Sequence, residues 1–208
     1  MPMATIDKTI HGLVGNLVIT KNGNVRTKPV YTKKSKRSPK QVKNRKSFSY
    51  CAEFYQKMKK DLVTPIWTKM KDETRNAYNL FMSANIKAFY GEDGKCDPMK
   101  LKLSLGVLNL PFRFKWEKFD KENSDLIISW ENASEESEPR LADKFSYVLS
   151  DGVDFSKPIY SNFHRNDRGG VVNLSGQDFS PSFVYIYFTA YDNSEFSDST
   201  VMEIPKSL

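Results

Sequence analysis

The chain has 208 residues, of which 39% are hydrophobic and 27% charged, a composition typical of a globular protein with one or two domains. No apolar run approaches the roughly 20 residues that a membrane-spanning helix requires, and the first residues lack a charged segment followed by an apolar core. The two cysteines, Cys51 and Cys96, are too few for a disulfide framework or a four-cysteine metal site. We therefore expect a cytoplasmic protein with no membrane contact.

Charge is distributed unevenly along the chain. Residues 1–100 contain 21 Lys and Arg against 8 Asp and Glu, whereas residues 101–208 contain 11 against 17. A basic half followed by an acidic half predicts two modules with different surfaces. We place the boundary between a basic hairpin and helical-hairpin module, residues 1–98, and a β-sandwich with a leading connecting strand, residues 99–208.

The first predicted element is a β-hairpin. Two β-rich segments flank Asn22-Gly23, a pair that supplies the positive φ angles of a tight hairpin turn. Gly12 and Gly15 are predicted to precede the first strand, where they permit a bend. Because an isolated hairpin is only marginally stable in water, we expect it to pack on another element.

A helix with a clear start follows the hairpin. Ser38 is a good N-cap, Pro39 suits the first helical position, and Gln41 completes a capping box. Pro65 is expected to end or kink this helix. Its predicted apolar stripe consists of Val42, Phe48, Ala52, Tyr55, Met58 and Leu62.

A second helix is predicted from about residue 72 to Phe89, with Gly91 after its end. Its predicted apolar stripe consists of Ala77, Leu80, Phe81, Ala84 and Phe89. With Trp67 at the bend between them, the two helices are expected to form an antiparallel hairpin with a shared core.

The hydrophobic period changes near residue 99 from helical to alternating. Met99, Leu101, Leu103 and Leu105 fall on one face of a predicted connecting strand, which we expect to pair with the N-terminal hairpin. Short strands separated by polar turns follow, the pattern of an all-β sandwich. The predicted strands span residues 112–118, 125–131, 143–150, 158–162, 170–174, 183–191 and 197–204.

Residues 110–205 resemble a fibronectin type III or immunoglobulin-like domain. DLIISWENAS is similar to the second strand of such domains, KFSYVLSDG to the third and FVYIYFTAYD to the sixth. Val184 departs from the family, which usually has tyrosine at that position. The inward residues implied are Leu126, Ile128, Trp130, Tyr147, Leu149, Val184, Ile186, Phe188 and Ala190. The resemblance implies a partner-binding or spacer domain, of a kind that rarely catalyses a reaction.

An aromatic row lies on the opposite face of the predicted sixth strand. It consists of Phe183, Tyr185, Tyr187 and Tyr191. An exposed row of this kind is a candidate protein-contact face. The alternative is that the N-terminal half of the chain covers it, since tyrosine suits both settings.

The basic half also resembles a known group of proteins. Its glycine, proline and basic pattern is similar to the N-terminus of a widespread family of bacterial domains of unknown function, with similar openings in proteins of phage or other mobile elements. The residues that carry the resemblance are Gly12, Gly15, Asn16, Gly23, Arg26, Pro29, Pro39, Gln41, Arg45 and Phe48. The family implies an architecture and no established activity.

The stretch TKPVYTKKSKRSPKQVKNRKSF, residues 27–48, holds nine positive charges and no acid. Such an arm, leading into a helix, offers the cations that phosphate contacts need. The candidate contacts for nucleic acid or an acidic partner are Lys33, Lys34, Lys36, Arg37, Lys40, Lys43 and Lys46. Against nucleic acid, Tyr31 is the only aromatic before Phe48, and single-strand binding needs stacking aromatics. A solvated arm, an acidic protein partner and nucleic acid therefore stay open, and Arg26 and Arg45 are predicted to be structural.

Catalytic motifs are scarce in the sequence. His11 and His164 are the only histidines, and the polar turn around His164 is a poor setting for a general base. Nucleophile-elbow and zinc-protease motifs are absent. Glu135, Glu136 and Glu138 are predicted to be solvated, with a weak Ca²⁺ site as the alternative. We expect no enzyme activity and no cofactor.

The sequence thus predicts an α+β N-terminal module, a β-hairpin plus two helices, followed by an all-β immunoglobulin- or fibronectin III-like sandwich. The expected function is that of a non-enzymatic structural or protein-interaction protein of phage or mobile-element origin. The alternative is a nucleic-acid-binding protein that uses the basic arm, residues 28–46.

Overall fold

A computed structural model describes residues 12–20, 24–27, 36–70, 76–91, 95–120, 122–132 and 138–205. The chain divides into two compact units, residues 1–38 and residues 39–208. The helices therefore belong to the same unit as the β-strands that follow them. The predicted domain boundary after residue 98 falls inside this second unit.

The first unit contains a three-stranded antiparallel sheet in the order β1-β2-β3. Its strands are β1, Gly12–Val14, β2, Leu17–Ile19, and β3, Val25–Thr27. The predicted hairpin corresponds to β2 and β3, and Thr20 N donates to Asn24 O at 2.9 Å across its turn. Gly15 lies in the turn that precedes β2 with a φ of 58°, as the predicted bend requires, whereas Gly12 lies in β1, a strand that the sequence did not predict. The Asn22-Gly23 pair lies outside the described residues.

The second unit begins with helix α1, Pro39–Met58, which starts at the predicted proline. It continues into a π-helical turn, Lys59–Val63, and then into the short helix α2, Thr64–Trp67. Pro65 lies in the first turn of α2, so it does not end the helical run. In a regular α-helix a proline ring lacks the N–H that the helix needs and clashes with the carbonyl four residues earlier. The wider π-helical turn before Pro65 makes room for the ring.

The packing face of α1 differs from the predicted stripe in its first half. The buried residues of α1 are Ser47, Cys51, Tyr55 and Met58. Val42 and Phe48 were predicted in the core, but their exposed fractions are 42% and 48%. Their prediction is wrong because the first turns of α1 extend beyond the core. Val42 also lies on the far side of the helix from the buried residues, and Phe48 lies at the edge of their face.

Helix α3, Ala77–Asn85, leads into a 3₁₀ turn, Ile86–Phe89. Asn76 caps α3, since its side-chain oxygen accepts from Asn79 N at 2.8 Å. The predicted stripe of this helix is confirmed for Leu80, Phe81 and Phe89, which are buried, and Ala77 and Ala84 pack against the same core. Trp67 is also buried, as the predicted helical hairpin requires.

All seven predicted sandwich strands are present, with ends that differ by a few residues. They are β4, Phe112–Asp120, β5, Asp125–Glu131, β6, Lys144–Ser150, β7, Ile159–His164, β8, Gly169–Asn173, β9, Phe183–Thr189, and β10, Thr200–Glu203. They form two antiparallel sheets with the orders β4-β5-β8 and β10-β9-β6-β7. A one-turn helix, α4, Glu138–Leu141, precedes β6.

Two apolar cores lie on opposite faces of the four-stranded sheet. The inter-sheet core contains the predicted inward residues Leu126, Ile128, Trp130, Tyr147, Leu149, Val184, Ile186 and Phe188. The helix-side core contains Cys51, Tyr55, Trp67 and Phe81 together with Val148, Tyr185, Tyr187 and Phe196. The second unit is therefore a three-layer arrangement of helices, sheet and sheet.

The segment from residue 99 to residue 110 is not the predicted connecting strand. It begins with a 3₁₀ turn, Pro98–Lys100, and contains only an isolated bridge at Leu108. Leu101 and Leu103 are buried in the helix-side core, which explains the alternation in the sequence. Hydrogen bonds from this segment run to residues 196–199 and often use serine side chains, as in Ser104 Oγ to Ser197 O at 2.8 Å.

Candidate functional site

The predicted aromatic contact face is mostly interior. Tyr185 and Tyr187 are fully buried under the helices, and burial raises the pKa of both phenols. The Tyr185 hydroxyl donates to Pro98 O at 3.0 Å, which ties the sheet to the turn after the helices. Phe183 packs partly buried against the same core, whereas Tyr191 is 71% exposed. The row thus presents no continuous surface, because the chain's own helices cover its centre.

The cations of the basic stretch, by contrast, are exposed wherever the structure describes them. Lys33 and Lys34 lie outside the described residues, and Lys36 and Arg37 are exposed. Three of the predicted contacts, Lys40, Lys43 and Lys46, are exposed on α1 together with Arg45. We define the basic half of α1 as residues 39–48, which contain these four cations and no acid.

The geometry of the basic half of α1 keeps its charges in water. Only Ser47 is buried among its residues. Lys40, Lys43 and Lys46 are three residues apart, so they follow one another by roughly 4.5 Å along the helix axis. The Lys43 ammonium lies 5.9 Å from the centre of the Tyr90 ring, a cation–π distance. The first acid on α1 is Glu53, one turn beyond this half.

An open pocket of about 630 Å³ lies on one flank of the basic half of α1. Its lining residues are Asn44, Arg45, Phe48, Ser49, Ala52 and Ile86. Arg45 is exposed rather than built into the fold, so its predicted structural role finds no support in its burial. Arg26 on β3 is likewise exposed.

The turn after β7 holds a fully buried guanidinium that sequence reasoning missed. Arg165 lies 3.2 Å from the buried carboxylate of Asp143 and donates to Asn109 O at 2.6 Å. Its guanidinium also lies 4.9 Å from the centre of the Phe188 ring. No signal in HRNDR identifies Arg165, since the composition of this stretch indicates solvated surface. The enclosure of the group by its neighbours points to a structural role.

Both thiols are protonated at neutral pH, because Cys51 is buried and Cys96 is partly buried. Cys51 lies in the helix-side core, and the partly buried Cys96 packs against the same cluster. Burial raises the pKa of each thiol from 9.0 to about 12, and for Cys96 the nearby Cys51 and Asp97 act in the same direction. These cysteines are therefore poor nucleophiles at neutral pH.

We expect the thiols to react slowly in the folded protein. Because only the thiolate attacks, a disulfide reagent at pH 8 should react at least about a hundredfold more slowly than with the chain in urea. The raised pKa also links the free energy of unfolding to pH. The stability that comes from keeping these thiols protonated is fully present below pH 9.0 and is lost as the pH rises toward about 12. Labelling of both thiols at the unfolded rate would contradict the burial.

Three residues considered from the sequence as catalytic or Ca²⁺-binding candidates lie outside the described residues: His11, Glu135 and Glu136. The backbone of His164 donates to Asp167 Oδ2 at 2.7 Å, which makes this histidine the cap of a short turn. Across the part of the chain that the structure describes, no group of three or more His, Cys, Asp and Glu is arranged to hold a metal ion. In the same residues, no helix is long and apolar enough to cross a bilayer.

Comparison with known proteins adds no relative: no protein-family model matches the sequence, and no curated protein matches it significantly. The surfaces of the chain itself are therefore the basis for assigning a function. Among the described helices and strands, the basic half of α1 has the largest run of positive charges without an acid.

Proposed function

We propose that the protein is a non-enzymatic binding protein and that its ligand is nucleic acid, held through the basic half of α1. The observation that supports this proposal is the concentration of four exposed cations, without an acid, on a helix segment that contributes almost nothing to the core. The proposal corresponds to the alternative predicted from the sequence, with the contact surface narrowed to the helix.

The position of these cations is unfavourable for the stability of α1. The first turn of a helix carries a partial positive charge, so acids stabilise it and lysines do not. The first turn of α1 contains Lys40 and no acid. Repulsion among Lys40, Lys43 and Lys46 adds to this cost. An anionic ligand relieves both effects, and a stretch that serves only the fold has no such reason to be basic.

Phosphate is the anion that this arrangement suits best. Lysine acts as a flexible point charge toward phosphate and does not need the fixed geometry of a bidentate pair. Binding to several phosphates releases condensed counterions, which supplies most of the affinity at moderate salt. The centre of the aromatic row is buried, which removes the surface predicted for a protein partner. An acidic protein is left as a competing ligand for the same cations.

The β-sandwich supports this surface as a rigid body in our proposal. We propose that it is a domain of the fibronectin type III or immunoglobulin kind, as the sequence resemblance implies. Its division into sheets β4-β5-β8 and β10-β9-β6-β7, around a core centred on Trp130, supports that proposal. A cytoplasmic location and an origin in phage or mobile elements stay predictions.

Charge reversal at three positions tests the proposed function. We expect Lys40→Glu, Lys43→Glu and Lys46→Glu together to weaken binding of a labelled oligonucleotide by at least about tenfold at 100 mM salt. Fluorescence anisotropy measures this change. The matched control reverses Lys115, Lys118 and Lys157, which are exposed elsewhere on the second unit.

Three results would contradict the proposal. The first is unchanged affinity in the α1 variant, and the second is an equal loss in the control, which would indicate a response to net charge alone. The third is displacement of the oligonucleotide by polyglutamate at an equal concentration of charge, which would favour an acidic protein partner.

A further inference from the structure

Phe48 is an aromatic side chain that the fold leaves unused. It is 48% exposed. Exposing an apolar ring to water costs free energy, whereas exposing a hydroxyl such as that of the neighbouring Ser49 does not. Ser47, which precedes Phe48 in the sequence, is buried in the core. The helix thus buries a serine and exposes a phenylalanine, the reverse of what stability alone favours.

The surroundings of Phe48 have the chemistry of a site for a planar, partly polar group. In the open pocket of about 630 Å³, Ala52 and Ile86 supply further apolar surface. Asn44 offers an amide that both donates and accepts, and Arg45 offers a cation. The Ser49 hydroxyl donates to Glu53 Oε1 at 3.0 Å, which leaves its oxygen as an acceptor.

Helical spacing brings the cation and the ring to one flank. Arg45 precedes Phe48 by three residues and Asn44 precedes it by four, the separations at which side chains on a helix meet. Lys46 and Lys43 precede Phe48 by two and five residues, so they lie on the other side of the helix. Arg45 is the cation of this half that lines the pocket. A ligand whose charge engages Arg45 therefore has its neighbouring uncharged part within reach of the ring.

We propose that this pocket receives an unpaired base that stacks on Phe48 while Arg45 contacts the adjoining phosphate, so that the preferred ligand is single-stranded nucleic acid. This inference rests on the proposed function and specifies its ligand. A base in a single strand exposes its π-face, and stacking on an aromatic side chain beside basic residues is the usual way in which proteins hold such strands. A paired base hides that face within the duplex and leaves Phe48 without a partner.

The sequence alone argued against single-strand binding, because the basic stretch has only Tyr31 before Phe48 and Phe48 was predicted in the core. The exposed position of Phe48 removes that objection. Arg45, predicted to be structural, becomes a phosphate contact in this proposal.

Substitution of Phe48 tests the inference in the full chain. The probes are a labelled oligothymidylate and a duplex of the same length, titrated by anisotropy at the same salt concentration. We expect Phe48→Ala to weaken binding of the single strand roughly five- to hundredfold and to leave duplex binding within about twofold. Phe48→Trp should retain single-strand affinity, because its larger ring also stacks.

Val42→Ala is the matched control, since Val42 is a similarly exposed apolar residue on the same half of α1 but lies outside the pocket. We expect it to change neither affinity. Equal losses for strand and duplex in Phe48→Ala, loss of affinity in Phe48→Trp, or no loss in either variant would overturn the inference. If the lysine reversals abolish binding while Phe48→Ala does not, the proposed function stands and the stacking site is wrong. If unmodified protein binds neither probe, the proposed function fails with it.

Discussion

Replacing Tyr185 and Tyr187 together by aspartate is expected to unfold the protein. Both side chains are fully buried between the four-stranded sheet and the helices. Truncating a large buried aromatic residue costs about 3–5 kcal/mol, and each unpaired carboxylate adds the cost of burying a charge. Two such changes exceed the roughly 5–15 kcal/mol by which a typical domain is stable.

Circular dichroism and urea denaturation measure this effect, and phenylalanine provides the matched control. We expect the double phenylalanine variant to remain folded. Tyr185→Phe should cost about 0.5–1.5 kcal/mol, because it removes the hydrogen bond to Pro98 O. Tyr187→Phe should cost less, about 0.5 kcal/mol or below, since the buried Tyr187 hydroxyl interacts with Tyr160 but forms no hydrogen bond of regular geometry within the described part of the chain. A folded double aspartate variant would show that the helices do not cover this face.

Replacing Arg165 by methionine is expected to destabilise the protein by about 3–5 kcal/mol, because it leaves a buried carboxylate without its closest charged partner. Arg165 and Asp143 are both buried, with 3.2 Å between Nη2 and Oδ2. The substitution also removes the bond to Asn109 O and the contact of the guanidinium with Phe188. The change appears as a lower midpoint in urea with an unchanged slope.

Arg140→Met is the control for this substitution. Arg140 lies 3.8 Å from the same carboxylate of Asp143 and 3.0 Å from Glu195, but its side chain is 38% exposed. We expect a loss below about 1 kcal/mol for it, because solvent screens such pairs. Combining Arg165→Met with Asp143→Leu should recover part of the stability, since no isolated charge is then buried. Equal effects of Arg165→Met and Arg140→Met would contradict the role assigned to the buried pair.

The sandwich strands were predictable because each combines alternating hydrophobicity with polar turns, and alternation identifies which residues share a face. Alternation does not say what lies against each face. In β9 the residues of both faces are apolar or aromatic, which is typical of a strand covered on both sides. The apolar and aromatic residues on both faces of β9 therefore favour the interpretation in which Tyr185 and Tyr187 are covered over the one in which they form an exposed contact face.

Other features had no reliable local signal. The helical period of α1 was clear, but its packing face was assigned from Val42 and Phe48, two apolar residues that the core does not reach. The alternation from Leu101 to Leu105 has the period of a strand. The hydrogen bonds of this segment nevertheless involve serine side chains and not a continuous backbone ladder with a neighbouring strand. Burial of Arg165 depends on contacts from distant parts of the chain, and its polar neighbours in sequence indicate the opposite.

The candidate site was predicted in part for a simple reason. Positive charge can be read directly from a sequence, and residue type alone therefore identifies Lys40, Lys43 and Lys46 as candidate contacts. The pocket beside them was not predictable from the sequence. Ile86 belongs to a different element from Phe48, and the exposure of Phe48 depends on which side of α1 faces the core. Composition therefore indicated the class of ligand, and only packing indicated where a base would stack.

The most direct test is the salt dependence of oligonucleotide binding before and after the charges of Lys40, Lys43 and Lys46 are removed by glutamine. Each phosphate neutralised on a single strand contributes about −0.7 to the slope of log K against log salt concentration. We expect a steep negative slope for the unmodified protein and a slope shallower by about 2 for the triple glutamine variant. A flat dependence in the unmodified protein, or an identical slope in the variant, would contradict binding through the basic half of α1.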